Sequence, residues 1–216
     1  MINKERILKF RLRLSKNAGI TRREMRDMFI NALPASGLRF ALNNGRPRFS
    51  LGPAAADDEA SDCEYADICL AEYARAEEIN LKLAPFITGG FKLESVREIP
   101  FAISAVENLA VFAKYIITGV KGGAEKIKDS QKIEYEVVHP NGLREFKNIR
   151  PAIYNISDIA GGMEIIIRLD ALRSIGMRKM LTILPGLEVQ GREPQILRRA
   201  LLWQNAAGAL EAMQEN

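Results

Sequence analysis

One histidine and two cysteines in 216 residues remove whole classes of chemistry. His139 stands in a predicted turn before Pro140, with no base or nucleophile motif beside it. A Ser-His-Asp or Cys-His mechanism would have to run through that one solvated side chain. Cys63 and Cys69 fall on one predicted strand. At about 3.3 Å per residue they lie roughly 20 Å apart, too far for a disulfide or a shared metal ion. Three of the cysteines that a common iron–sulfur cluster needs are also missing. The expectation is therefore no metal and no cofactor. No apolar run approaches the roughly 20 residues of a membrane-spanning helix. The start, MINKERILKFRLRL, interleaves cations with apolar residues and lacks the apolar block of a secretion signal. A cytoplasmic protein with reduced thiols and no membrane contact is expected.

What is present suffices for a real core: 47% of residues are hydrophobic, and 27% are charged. The net charge of +4 conceals two blocks. Residues 1–50 hold twelve Lys or Arg against three acids, and residues 51–80 hold nine acids against Arg75 alone. Either the basic block meets an anionic partner, or the two blocks neutralise each other inside one fold.

The stretch LKFRLRLSK, residues 8–16, alternates strictly. Leu8, Phe10, Leu12 and Leu14 read as one face of a strand, and Lys9, Arg11 and Arg13 as the other. Thr21 is a helix N-cap with Glu24 as its capping-box partner, and Met25, Met28, Phe29 and Leu33 follow at helical spacing until Pro34 and Gly37. Asn43-Asn44-Gly45 is a turn before a short strand at 48–51. The acidic, Ala-rich segment 52–62 reads as an exposed loop. A strand at 64–71, a helix at 74–83 and an extended segment at 91–98 complete the order β-α-β-β-α-β. The fold expected is α+β: a ferredoxin-like first half, residues 1–100, and a second, smaller α+β half, residues 101–216. In the second half a short helix (103–109), a strand (111–118), a hairpin around His139–Gly142, a strand (163–169), a helix (172–184) and a mixed apolar segment (196–210) are predicted. No internal repeat survives counting. Gly119-Val120-Lys121-Gly122-Gly123 lacks the phosphate-loop spacing and reads as a turn.

On the sheet face opposite the two helices, Lys9, Arg11 and Arg13 offer contacts to phosphates, provided nothing covers them. RNA-binding ferredoxin-like domains stack bases on central-strand aromatics. Tyr65 is the one outward aromatic here, so base readout is poorly supplied. Arg48, Tyr65 and Asp67 form a second candidate group on facing strands, with ordinary cation–acid sheet pairing as the plainer explanation.

Most of the chain resembles a bacterial family of radical-SAM-linked proteins of unknown function, which occur alone or fused behind a radical SAM protein. The resemblance rests on Phe10-Arg11-Leu12-Arg13-Leu14-Ser15-Lys16, then Arg26, Phe29 and Ala32-Leu33, then Ser36-Gly37-Leu38. Pro47-Arg48-Phe49-Ser50 and Glu64-Tyr65-Ala66-Asp67-Ile68-Cys69-Leu70 follow in the family's order, with Ala113-Lys114-Tyr115 and Asn148-Ile149-Arg150-Pro151 downstream. Members carry a Ser-His-Leu-Asp run where this chain has Thr21-Arg22-Arg23-Glu24-Met25. They carry Gly-Phe-Asn-Pro-His-Pro where it has Leu42-Asn43-Asn44-Gly45-Arg46-Pro47. Both histidines are gone, so no catalytic residue transfers. The resemblance implies association with a radical SAM protein and, more loosely, with RNA. The leading expectation is a non-catalytic accessory protein facing RNA through Lys9, Arg11, Arg13, Arg22, Arg23, Arg46 and Arg48. An enzyme centred on Asp67 and Arg48, and a structural adaptor whose basic strand pairs with its own acidic loop, are the alternatives.

Overall fold

The computed structural model describes residues 7–191 and 193–213, and the chain divides into two units, Met1–Ala110 and Val111–Asn216. The fold class is α+β, as the patterning predicts.

In the first unit, β1 (Leu8–Lys16) turns Phe10, Leu12 and Leu14 wholly inward. Helix α1 (Arg22–Ala35) starts with the predicted capping box: the Glu24 amide donates to Thr21 Oγ1 at 3.1 Å, and the Thr21 amide donates to the Glu24 carboxylate at 2.7 Å. Pro34 lies in the last turn, and the Ser36 amide closes the helix on Ala32 and Leu33. A hairpin follows, β2 (Leu42–Asn43) and β3 (Arg46–Pro47). Its two-residue turn places Asn44 and Gly45 at φ 50° and 73°, the left-handed pair that a tight hairpin requires. Next come β4 (Phe49–Leu51), β5 (Ala60–Leu70), α2 (Ala76–Leu83), β6 (Phe91–Ile99) and a short α3 (Val106–Leu109).

The strand order is β4-β5-β1-β6, every neighbour antiparallel. That is the ferredoxin-like arrangement. Met25, Phe29 and Leu33 of α1, with Ile79 and Leu83 of α2, cover the face formed by Phe10, Leu12, Leu14, Ala66, Ile68 and Leu70. Each of these side chains except Ala66 contributes about 1.5–3 kcal/mol when fully buried. The acidic segment is exposed as expected at residues 56–58 and departs from that expectation on either side. Gly52, Pro53, Ala55 and Glu59 are buried, and β5 begins at Ala60. Its backbone is tied down by a cation of the basic block, because Lys16 Nζ donates to the Ala56 carbonyl at 2.8 Å.

The second unit contains β7 (Phe112–Thr118), β8 (Val120–Lys121), α4 (Ala124–Asp129), a hairpin of β9 (Glu134–Val138) and β10 (Arg144–Asn148), β11 (Ile153–Ile159) and β12 (Gly162–Arg168). It ends with α5 (Leu169–Ile175), α6 (Met177–Leu181), β13 (Glu188–Val189), β14 (Gln195–Gln204) and β15 (Leu210–Ala212). The single helix predicted over 172–184 is broken by Gly176, whose φ of 72° no helix accommodates. Helix α4 and strand β11 were not foreseen by the patterning. Gly162 is required by contact: a Cβ there would sit 2.0 Å from the Ile117 carbonyl oxygen.

The strand order of this unit is β11-β12-β7-β14, again antiparallel throughout. With α4 after β7, and α5 and α6 after β12, it repeats the topology of the first unit. Even the extra hairpin recurs at the same point, β2–β3 in one unit and β9–β10 in the other. The repeat is one of topology, carried by a sequence that does not repeat.

Candidate nucleic-acid interface

The register sets directly opposed rows across the first sheet. Ser50, Asp67, Arg11 and Arg97 form one row across β4, β5, β1 and β6, with Lys9 beside Cys69, and Arg13 beside Tyr65, in the neighbouring rows. Arg11 answers Asp67 with a bidentate pair: Nε donates to Oδ1 at 2.8 Å and Nη2 to Oδ2 at 3.0 Å. Lys9 Nζ stands 3.3 Å from Oδ2. The backbone after β6 lays two carbonyls over the pair. Ile103 accepts from Lys9 at 2.6 Å, and Ser104 accepts from Arg11 Nη2 at 3.1 Å.

Arg11 is 9% exposed and Asp67 2%. This corrects the expectation of an open basic face at these positions. Lys9 and Arg11 neutralise an acid of their own sheet under a backbone cover, and Arg11 is not available to a phosphate. Arg13 is half-buried. Tyr65, expected to face outward, is 4% exposed and offers no stacking platform. His139 sits at the tip of the β9–β10 hairpin, 3.1 Å from Glu145, which its hydrogen bond holds below the ordinary carboxylate range.

The remaining candidate cations converge elsewhere. Arg22 and Arg23 from the first turn of α1, and Arg46 and Arg48 from the β3–β4 segment, line one groove of about 960 Å3. Arg26 joins them, one helical turn on from Arg22. The groove floor is apolar: Phe49 and Leu51 are half-buried there, Ile30 of α1 is 42% exposed, and beneath them the wholly buried Phe29 packs on Phe49 with ring centroids 5.8 Å apart. Arg22 is paired with Glu107 at 3.3 Å and Arg23 with Asp27 at 3.7 Å, all four side chains exposed. Such pairs are worth about 0–1 kcal/mol and exchange readily for a stronger anion. Arg26 and Arg46 make no ion pair or side-chain hydrogen bond among the described residues. The sequence assigns Arg22, Arg23, Arg46 and Arg48 to one anion contact with Lys9, Arg11 and Arg13; the structure brings the four together apart from that row and adds Arg26. Its one available signal was the 22/26 spacing on a single helix face.

A smaller cavity of about 330 Å3 adjoins β4 and includes Lys9, Arg48, Asp67, Cys69 and Phe101. Burial pushes the Cys69 thiol up, against the opposing pull of Arg48 and Lys9. Asp67 and Arg48, the proposed enzymic pair, thus line one cavity, but Asp67 is bound as counter-ion to Arg11 and Lys9. Among the described residues, no three His, Cys, Asp or Glu side chains are grouped to hold a metal ion, and no helix is long and apolar enough to cross a membrane.

A family model described as an uncharacterized protein conserved in bacteria (DUF2344) matches residues 11–182. No curated protein matches the chain.

Proposed function

The chain belongs to the bacterial family DUF2344, and on that premise we propose that it is a non-catalytic accessory protein that binds single-stranded RNA in the arginine groove of its first unit and serves a radical SAM protein. The observation that carries the RNA reading is the convergence of Arg22, Arg23, Arg26, Arg46 and Arg48 on one groove with an apolar floor. A cationic rim that follows phosphates, beside the partly exposed Ile30, Phe49 and Leu51, suits sequence-tolerant single-strand binding. The radical SAM partnership rests on the resemblance of the motifs opening at Phe10 and Glu64. The non-catalytic reading is supported by the engagement of Asp67, whose carboxylate already accepts from Arg11 and is paired with Lys9. The adaptor alternative pairs the basic strand with the acidic loop, whereas Arg11 and Lys9 pair with Asp67 of β5, and it leaves the groove arginines without a role.

The test is isolation of the tagged chain from its native cell at low salt, with co-purifying RNA and protein both identified. RNA that is retained by the wild type and lost with Arg26→Ala/Arg46→Ala, together with a radical SAM protein, is the expected result. Recovery of neither would overturn both parts of the proposal.

A further inference from the structure

The groove and the smaller cavity share Arg48, Phe49 and Ser50 as lining, so the two adjoin along β4. At their junction the Arg48 guanidinium lies 5.3 Å from the centroid of the Phe101 ring, which is 50% exposed. A guanidinium plane beside an exposed ring is a ready stacking element for a heterocycle. The cavity wall is polar. Ser50 makes no side-chain hydrogen bond among the described residues. Among the described residues Asp67 Oδ1 accepts one hydrogen bond, from Arg11 Nε, which leaves a lone pair for one further donor. About 330 Å3 lies at the small end of ligand sites, room for one heterocycle and not for a strand.

We propose that this cavity receives the base of one unpaired nucleotide whose strand lies in the groove, stacked on Phe101 and Arg48 with an amino or imino edge directed to Asp67 and Ser50. The inference rests on the RNA reading of the groove and adds the way a base is held. It explains why an arginine outside the helix's row, Arg48, stands at the junction, and why an aromatic ring is left half in solvent there. Paired strands present no free base, so duplex RNA binds more weakly than a single strand of equal length.

The test compares two ten-residue strands, an intact oligoribonucleotide and the same ribose-phosphate chain without bases, by fluorescence anisotropy on the full chain. The wild type is expected to bind the intact strand roughly tenfold or more tightly, the range measured for loss of a stacked base. Phe101→Ala should weaken the intact strand by a similar factor and leave the abasic strand unchanged, and Phe101→Trp should restore binding. Phe101 is half exposed, so these substitutions leave the fold intact, which circular dichroism checks. Equal binding of both strands by the wild type overturns the base cavity while leaving the groove reading in place. Binding of neither strand overturns the groove reading as well.

Discussion

Across the first and third strands of each unit a cation meets a carboxylate, but under opposite conditions. In the first unit Arg11 and Asp67 are directly opposed, bidentate, buried and roofed by backbone carbonyls. In the second, Lys114 reaches Glu164 by one contact of 2.8 Å, with the side chains 33% and 22% exposed. One topology thus carries an internal polar joint in one copy and an ordinary surface pair in the other. Conspicuous charge on a strand is not by itself a binding surface. What decides is the residue that the register sets opposite and whether backbone follows to cover it. The candidate cations that remain accessible lie between α1 and the β2–β4 segment; the corresponding helix of the second unit, α4, has six residues.

The comparison can be broken by removing the two carboxylates. Asp67→Ala strands Arg11 and Lys9 without their counter-charge and should cost about 3–5 kcal/mol in urea unfolding, as broken buried pairs do. Glu164→Ala should cost no more than about 1 kcal/mol. Equal losses would show that the first pair is no more buried in effect than the second. The hydrophobic layers should respond alike. Leu12 and Ile117 are both fully buried on corresponding first strands, and each truncation to Ala should cost about 2–5 kcal/mol by the same measurement.

The helix starts differ again. Helix α1 has its capping box, and α4 follows Gly123 with no side-chain cap. Thr21→Ala should cost about 1 kcal/mol. Hydrogen bonds from the Thr21 amide and hydroxyl lower the Glu24 pKa. Its contribution is therefore present above the unfolded carboxylate pKa, about 4.3, and lost as pH falls through the lower folded value. The gap in urea midpoint between wild type and Glu24→Gln should be constant near neutrality and close on acidification below that range. A gap independent of pH would remove Glu24 from the cap.

Much of the first unit was legible because local chemistry and tertiary structure agree there. Alternation placed Leu8, Phe10, Leu12 and Leu14, and Thr21 with Glu24 marked the helix start. Asn44-Gly45 marked the hairpin. The second unit was less legible. The six-residue α4 is too short for a periodic pattern, and Gly176 breaks a continuous apolar run that reads as one helix. The repeated topology escaped because it resides in strand order and not in residue identity. The groove escaped for a different reason: Arg22, Arg23 and Arg26 meet Arg46 and Arg48 only once α1 has packed beside β4. The burial of Arg11 was half visible, since Asp67 was read on a neighbouring strand. The carbonyls of Ile103 and Ser104 that complete the joint carry no side-chain signal.

The central claim is that RNA meets the groove arginines and not the basic row of β1. The salt dependence of binding to a single-stranded RNA tests it most directly, with wild type and Arg26→Ala/Arg46→Ala titrated from low to moderate salt. Both arginines are exposed, so stability should change by about 0.5 kcal/mol or less for each. The log–log slope should shrink by about 0.7 for each lost phosphate contact, with a similar loss of affinity across unrelated sequences. An unchanged slope in the double variant, with wild-type binding intact, would contradict the account.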